Sequence, residues 1–287
     1  MVFSKNCMTS LDNCHLSRCI VEIRSAKEGD RDVVLEFCMD TFSWGDYISD
    51  VWDNWMSSGG LYVCEQNDLV VGVYHIAFLA GESWLEGMRV RLGHRKKGLG
   101  TKMMLHAESV IQKGTIRLVI ESENYPSISL VSSVGYQIEE EWRLYGTISR
   151  RQNSRACIAN STFQLGNLVD SATYADSWRW IPFGKVEIER LVGEGRVLVS
   201  TDKGEIEAIG IWNKSKDFAQ TFQVGYVNGT KKGMEQILRF AQNKASEIEC
   251  ERIQVFALEK TRLDLDFLEK RSKFYLMKKE LGKIYNQ

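Results

Sequence analysis

The sequence predicts an α/β protein made of two units in tandem, each a mixed, mostly antiparallel sheet flanked by helices. Three observations carry this. The first half reads as β-α-α-β-β-β-α-β-α-β, and its strand–helix–strand crossings demand parallel as well as antiparallel pairs. The second half repeats much of that order. A basic glycine turn precedes a long helix in each half, Lys96-Lys97-Gly98 and Lys231-Lys232-Gly233, at an offset of 135 residues. The same offset sets Arg117-Leu118 on Arg252-Ile253 and Ile120 on Val255, which suggests an old duplication. The alternative is two α/β units that share a common order by chance.

The elements follow from periodicity and punctuation. Ile20–Arg24 alternates as a strand should. Val33, Val34, Phe37 and Cys38 recur at helical spacing, and a second helix covers Tyr47–Met56 until Gly59-Gly60 breaks it. Leu61–Glu65 and Leu69–Ala80 form a hairpin about Gln66-Asn67-Asp68. Trp84–Arg91 is the next strand. Leu99, Met103, Leu105, Ala107, Val110 and Ile111 mark a helix. Thr115–Glu121 is a buried strand, Ser127–Ser133 a helix stopped by Gly135, and Tyr136–Tyr145 a strand. Residues 146–160 are polar, basic and aperiodic and read as a linker. They divide the chain into a first domain at 1–148, with its core about 20–145, and a second at 149–287. The second unit reads as strands near Val186–Leu191, Arg196–Ser200, Glu205–Trp212 and Phe222–Val227. A helix at Gly233–Ala245, a strand at Arg252–Leu258 and a last helix near Leu265–Leu281 follow.

Composition narrows the function. The 287 residues are 44% hydrophobic with two prolines, as an ordinary globular chain requires. No apolar run is long enough to span a bilayer, and the first twenty residues lack the apolar stretch of a signal peptide. Seven scattered cysteines do not make a disulfide framework, so a reducing cytoplasm is the expected setting. A net charge of −1 gives no reason to expect nucleic-acid or membrane partners. The distribution is more informative. Residues 1–150 carry 15 Lys and Arg against 20 Asp and Glu, yet Arg89, Arg91, Arg95, Lys96, Lys97 and Lys102 fall in one window without an acid. On charge alone that is a solvated turn.

Its glycines add chemistry. Arg95-Lys96-Lys97-Gly98-Leu99-Gly100 links a strand to a helix, and a helix start offers unpaired N–H groups and partial positive charge to an anion. Neither the dinucleotide fingerprint nor the Walker pattern is present there. The turn does resemble the R/Q-x-x-G-x-G/A pyrophosphate loop of the GNAT acetyltransferases, with Arg95, Gly98 and Gly100 at the signature positions. Downstream, Asn124, Ser127, Leu130 and Gly135-Tyr136 resemble that family's N-x-x-A-x-x-L-Y-x-x-x-G-F segment at full spacing. Ser127 stands where Ala is usual and Tyr136 where Phe is usual. The resemblance covers roughly residues 20–145.

The resemblance implies acetyl transfer from acetyl-coenzyme A to an amine, with no metal. It assigns the pyrophosphate to the main chain around Arg95, Lys96, Lys97, Gly98, Leu99, Gly100 and Thr101. Main-chain groups of Met88 and Val90 take the pantetheine arm, and Asn124 lies beside it. Glu86, on the strand entering the loop, is the candidate general base. Its alternative is an outward surface glutamate, and Glu121 and Glu123 are rivals. The usual general-acid tyrosine falls at Val131, so the acid is absent or supplied elsewhere, with Tyr125, Tyr136 and water as substitutes. Phe42, Trp44 and Tyr47, with Trp52 and Trp55, crowd the region of the acceptor pocket, interleaved with Asp46, Asp50 and Asp53; they suit a cationic amine or simply a core.

Similarity of the Asp46–Trp55 run to histidine N-acetyltransferase-like proteins hints at a free amino acid as acceptor. The expectation is therefore a cytoplasmic N-acetyltransferase for a small-molecule primary amine, monomeric or homodimeric. Alternatives are a non-catalytic acyl-coenzyme A sensor and an enzyme acting on protein lysines or N-termini. The second unit is expected to be degenerate: at the 135-residue offset Thr230 replaces Arg95 and Glu235 replaces Gly100. Cys7, Cys14, His15 and Cys19 lack zinc-ligand spacing.

Overall fold

The structure, a computed structural model, describes residues 20–39, 41, 45–79, 81–160, 169, 171–215 and 218–282. The first half contains the ten expected elements in the expected order. They are β1 (Val21–Ser25), α1 (Arg31–Cys38), α2 (Ile48–Ser58), β2 (Leu61–Gln66), β3 (Leu69–Leu79), β4 (Glu82–Val90), α3 (Leu99–Ile111), β5 (Gly114–Glu121), α4 (Tyr125–Ser133) and β6 (Gln137–Ile148). The β2–β3 turn has Asn67 and Asp68 both at positive φ, the geometry that matches the twist of a two-residue hairpin.

The second half holds β7 (Cys157–Ile158), β8 (Thr173–Asp176), β9 (Arg179–Pro182), α5 (Lys185–Gly193), β10 (Val197–Asp202), β11 (Glu205–Lys214), β12 (Thr221–Gly229), α6 (Lys231–Glu247), β13 (Arg252–Leu258) and β14 (Glu269–Leu281). Two expectations fail here. Val186–Leu191, read as a strand, lies in α5. Its short alternation also fits a helix in which Leu191 is buried, Ile188 and Val192 pack beside it and Val186 faces solvent. The helix expected over Leu265–Leu281 is instead largely β14. Phe274-Tyr275-Leu276-Met277 is a continuous apolar run of the kind a strand needs when both its faces are covered. Of the expected linker, residues up to Ile148 complete β6, and Cys157–Ile158 forms β7.

One twelve-stranded sheet runs through both halves in the order β1-β2-β3-β4-β5-β14-β6-β13-β12-β11-β10-β7. The last strand of each half lies between strands of the other. β14 pairs antiparallel with β5, Phe274 opposite Glu121 through Leu281 opposite Gly114. β6 pairs antiparallel with both β14 and β13. Neither half completes its sheet alone. Buried Arg117 on β5 fastens the junction through ion pairs to Glu82 on β4 and Glu139 on β6, and Lys278 on β14 also reaches Glu139.

Helices α1 and α2 pack Val34, Trp52 and Trp55 onto β2 and β3, while α3 and α4 pack Leu99, Met103 and Val131 onto a second cluster with Leu85 and Leu118. A third core crosses the halves: Trp84 on β4 stacks on Trp180 of the β8–β9 hairpin, with Trp142, Tyr226 and Phe256 around them. Among the described residues no helix is long and apolar enough to cross a membrane.

Candidate active site

The site begins where β4 and β5 part. These parallel strands pair only from Glu82–Trp84 to Thr115–Arg117, yet β4 continues to Val90 and β5 to Glu121. The facing main-chain edges beyond Trp84 are not bonded to each other, and an edge of unpaired N–H and C=O groups is a template for an extended ligand. On its other side β4 is bulged. Val73 faces Arg89 and His75 faces Glu86, so three residues of β4 span two of β3. Gly87 sits in that bulge at φ +65°, where a Cβ would come 2.4 Å from the ring of Trp55. Only glycine fits both the dihedral and the space.

Residues 91–98 then lead into α3. Lys96 and Gly98 both have left-handed backbone, a geometry that turns successive N–H groups to one side. No side chain caps the N-terminus of α3, and Arg95, Lys96, Lys97 and Gly98 are exposed. Gly100 lies in the first turn, where a Cβ would meet the end of the Leu130 side chain at 2.8 Å, so α4 packs closely on α3. The loop is held from within. Arg95 Nε donates to the Val90 carbonyl (2.8 Å), Arg89 Nη1 to the Met88 carbonyl (3.1 Å), and His94 Nδ1 pairs with Gln66 Oε1 (2.6 Å). Of the main-chain groups expected to take the pantetheine arm, the Met88 and Val90 carbonyls therefore already accept bonds from arginines.

Asn124 caps α4, its Oδ1 accepting from the Ser127 N–H at 3.3 Å. Val131 is buried in the α3–α4 core and carries no hydroxyl. Of the substitute acids, Tyr125 is 70% exposed at the start of α4, whereas the Tyr136 hydroxyl is buried without a hydrogen-bond partner and burial raises its pKa. Glu121 and Glu123 lie at the exposed end of β5, in a charged cleft with Arg143, Lys270, Arg271 and Lys273.

Glu86 is set apart from those two. Its Oε1 is 2.8 Å from His75 Nδ1 and accepts from Arg179 Nη2 (2.6 Å); its Oε2 accepts from Arg179 Nε (3.1 Å). His75 is buried, stacks on Trp55 at 4.6 Å and places Nε2 3.0 Å from the Gly59 carbonyl. Burial pushes the Glu86 carboxyl up, but the bonds from His75 and Arg179 outweigh it and hold the group below the usual glutamate range. Glu86 is thus neither the outward surface glutamate nor an unpaired carboxylate. Arg179, 93 residues away in sequence, had no local signal that would single it out.

Tyr47 closes this side of the site. Arg89 lies over its ring at 5.3 Å and pairs with Asp46, and Trp55 meets it edge-on at 6.2 Å. Burial pushes the Tyr47 hydroxyl up to about 12. Trp52 is fully buried core. Phe42 and Trp44 lie outside the described residues, as do Cys7, Cys14, His15 and Cys19. Among the described residues no group of His, Cys, Asp and Glu could hold a metal ion.

Among the described residues the second half shows no counterpart of the loop. β12 and β13 also pair in parallel over a short stretch, Thr221–Val224 with Arg252–Val255, but Thr230 caps α6 directly after Gly229. Thr230 Oγ1 accepts from the Gly233 N–H (3.0 Å) and donates to Glu207 (3.1 Å). The helix caps Gly98 and Thr230 differ by 132 residues, so the 135-residue register is shifted by three at this point. Glu235 does not occupy an anion site as that register implied; it pairs with Arg239 one turn on. The carboxylate beside the helix start is that of Glu207 on β11, through its bond from Thr230.

Comparison with known proteins accords with this geometry. Residues 31–136 match the acetyltransferase (GNAT) family. No curated protein matches the chain in sequence. A GCN5-related N-acetyltransferase from Sphaerobacter thermophilus superposes with a TM-score of 0.58 at 13% identity, over 91% of this chain and 95% of that one. A tandem GNAT protein from the clavulanic acid biosynthesis pathway does so with 0.54 at 10%, over 92% and 99%. The GCN5-related glucosamine N-acetyltransferase region of a fungal multi-domain β-N-acetylglucosaminidase gives 0.61 at 12%, over 92% of this chain and 38% of that one. At such identities the likeness is one of fold. Residues 31–136 are a domain of the GNAT acetyltransferase family, and the chain as a whole has the tandem GNAT fold.

Proposed function

We propose that the chain is an N-acetyltransferase that moves the acetyl group of acetyl-coenzyme A to a primary amine of a small molecule or free amino acid, using its first half as the coenzyme domain. The observation that carries this is the joined geometry of β4 and α3: a strand that parts from β5 and bulges at Gly87, leading into an uncapped helix start with left-handed Lys96 and Gly98. Residues Arg95–Thr101 would hold the pyrophosphate by main-chain N–H groups, with Lys96 and Lys97 adding charge. Met88 and Val90 would bond the pantetheine arm once Arg89 and Arg95 release their carbonyls. Asn124 would stand beside it.

Acetyl-coenzyme A supplies the activated acetyl group; the chain supplies position and proton traffic. A carboxylate has about four lone-pair directions. Three on Glu86 are taken, which leaves one on Oε2 to receive the ammonium proton of the acceptor, directly or through water. Tyr47, with Phe42 and Trp44, would wall the acceptor pocket. Val131 offers no acid, so water protonates the departing thiolate. The chain would work in the cytoplasm as a monomer or homodimer, on a small-molecule amine and without a metal, a nucleic acid or a membrane.

The lack of a hydroxyl at Val131 also fits a second reading, a sensor that binds acyl-coenzyme A without turnover. Thiol release from acetyl-coenzyme A, measured with a panel of free amino acids, polyamines, amino sugars and peptides, separates them. Amine-dependent release supports the enzyme, and tight binding without release supports the sensor. Release confined to peptides moves the acceptor to protein lysines or N-termini.

A further inference from the structure

The β8–β9 hairpin belongs to the second half, yet it lies against the active strand of the first. Trp180 stacks on Trp84 at 6.0 Å, and Trp142 and Phe256 pack edge-on against Trp180. Arg179, the preceding residue, therefore starts from a rigid base. It grips Glu86 with two bonds in the side-on fork that a guanidinium makes with a carboxylate. His75, stacked on Trp55, holds the other side of Oε1.

We propose that Arg179 is a positioning residue for acyl transfer, clamping Glu86 against His75 so that a single Oε2 lone pair is left for the acceptor amine. The second half thereby contributes to an active site that the first half cannot assemble alone. This rests on the acyl-transfer reading above. The titratable and charged groups that face Glu86 are His75 from β3, Arg179 from β9 and Tyr47 at the start of α2. Without the fork, the carboxylate keeps only the bond to His75 and can rotate about its side-chain torsions.

The test uses the full-length chain with R179Q and R179K. For R179Q the account expects acetyl-coenzyme A affinity within about twofold of wild type and a fall in kcat of roughly 10–100-fold, within the range of a misplaced general base. The acid limb of the pH–kcat profile should move up towards an ordinary glutamate. R179K, which keeps charge but not the fork, should recover part of the rate and most of the acid limb. Melting curves show whether both variants are folded; if R179Q is not, R179K alone decides, and a wild-type kcat in R179K overturns the clamp. An R179Q rate and profile equal to wild type also overturn it. A rate loss that only follows lost coenzyme binding overturns it as well. Absence of any amine-dependent release from the wild-type chain instead removes the acyl-transfer reading, and the proposal with it.

Discussion

Replacing Gly87 by alanine perturbs the bulge and little else in the sequence. A left-handed non-glycine residue costs roughly 1–2 kcal/mol. The added Cβ also lands 2.4 Å from Cη2 and 2.7 Å from Cζ3 of Trp55. That indole cannot yield cheaply, because it is 2% exposed and sandwiched against His75. Overpacking of this kind costs about 1–3 kcal/mol. The sum is about 2–5 kcal/mol, or roughly 4–20 °C in Tm at about 2–4 °C per kcal/mol for a chain near this size. Relief requires Trp55 and His75 to move, and His75 holds Glu86, so turnover should fall more than the residual folded fraction explains. Thermal unfolding by circular dichroism and thiol release at a temperature where the variant is folded measure the two effects. A G87A chain with wild-type Tm and wild-type turnover would refute the argument that the bulge is packed around a glycine and feeds the site.

Other expectations follow from the same contacts. Glu86→Gln should lower turnover at neutral pH by about 10²-fold or more with little change in coenzyme affinity, since general bases contribute about 10²–10⁴-fold; an unchanged pH–rate profile would move the role to Glu121, Glu123 or water. Among the described residues five carboxyls are held below their usual range: Asp30 by hydrogen bonds from Arg24, Glu187 by Arg190, Glu259 by Arg143, and Glu86 and Glu139 by partners that outweigh the upward push of burial, His75 with Arg179 and Arg117 with Lys278 respectively. A depressed carboxylate stabilises the fold above its unfolded pKa and loses that contribution as pH falls through its folded one. Stability from these groups should therefore be level above about pH 5 and decline below the ordinary carboxylate values near 4, and urea midpoints that stay constant down to pH 3 would contradict it. Thr230→Ala removes the cap of α6 and should cost about 1 kcal/mol without touching coenzyme affinity, read by denaturant midpoint and calorimetry.

What the sequence disclosed follows the range of the forces involved. The Arg95–Gly100 turn and the β2–β3 turn are local, so their residue types at fixed spacing were enough to find them. β14 was misread because its lysines favour helix while its strand form comes from β5 and β6, each more than a hundred residues away. Val186–Leu191 failed for a different reason: a few alternating residues fit either period. The repeat register was misplaced by three at α6 because Lys-Lys-Gly precedes the helix in one half and forms its first turn in the other. The position of Glu86 on the bulged strand was legible. Its partners were not, since pairing with Arg179 depends on how the second half folds back across the sheet.

Titration calorimetry of acetyl-coenzyme A into the full chain and into G100E tests most directly the claim that the first half is the sole coenzyme domain. In the variant a carboxylate is added to the first turn of α3, starting against the end of Leu130 and close to the pyrophosphate site proposed above. Like charges about 4 Å apart at a near-surface site repel by about 4 kcal/mol. The account predicts one coenzyme per wild-type chain and none detectable in folded G100E. Two sites in the wild type, or one that survives in the variant, would contradict it.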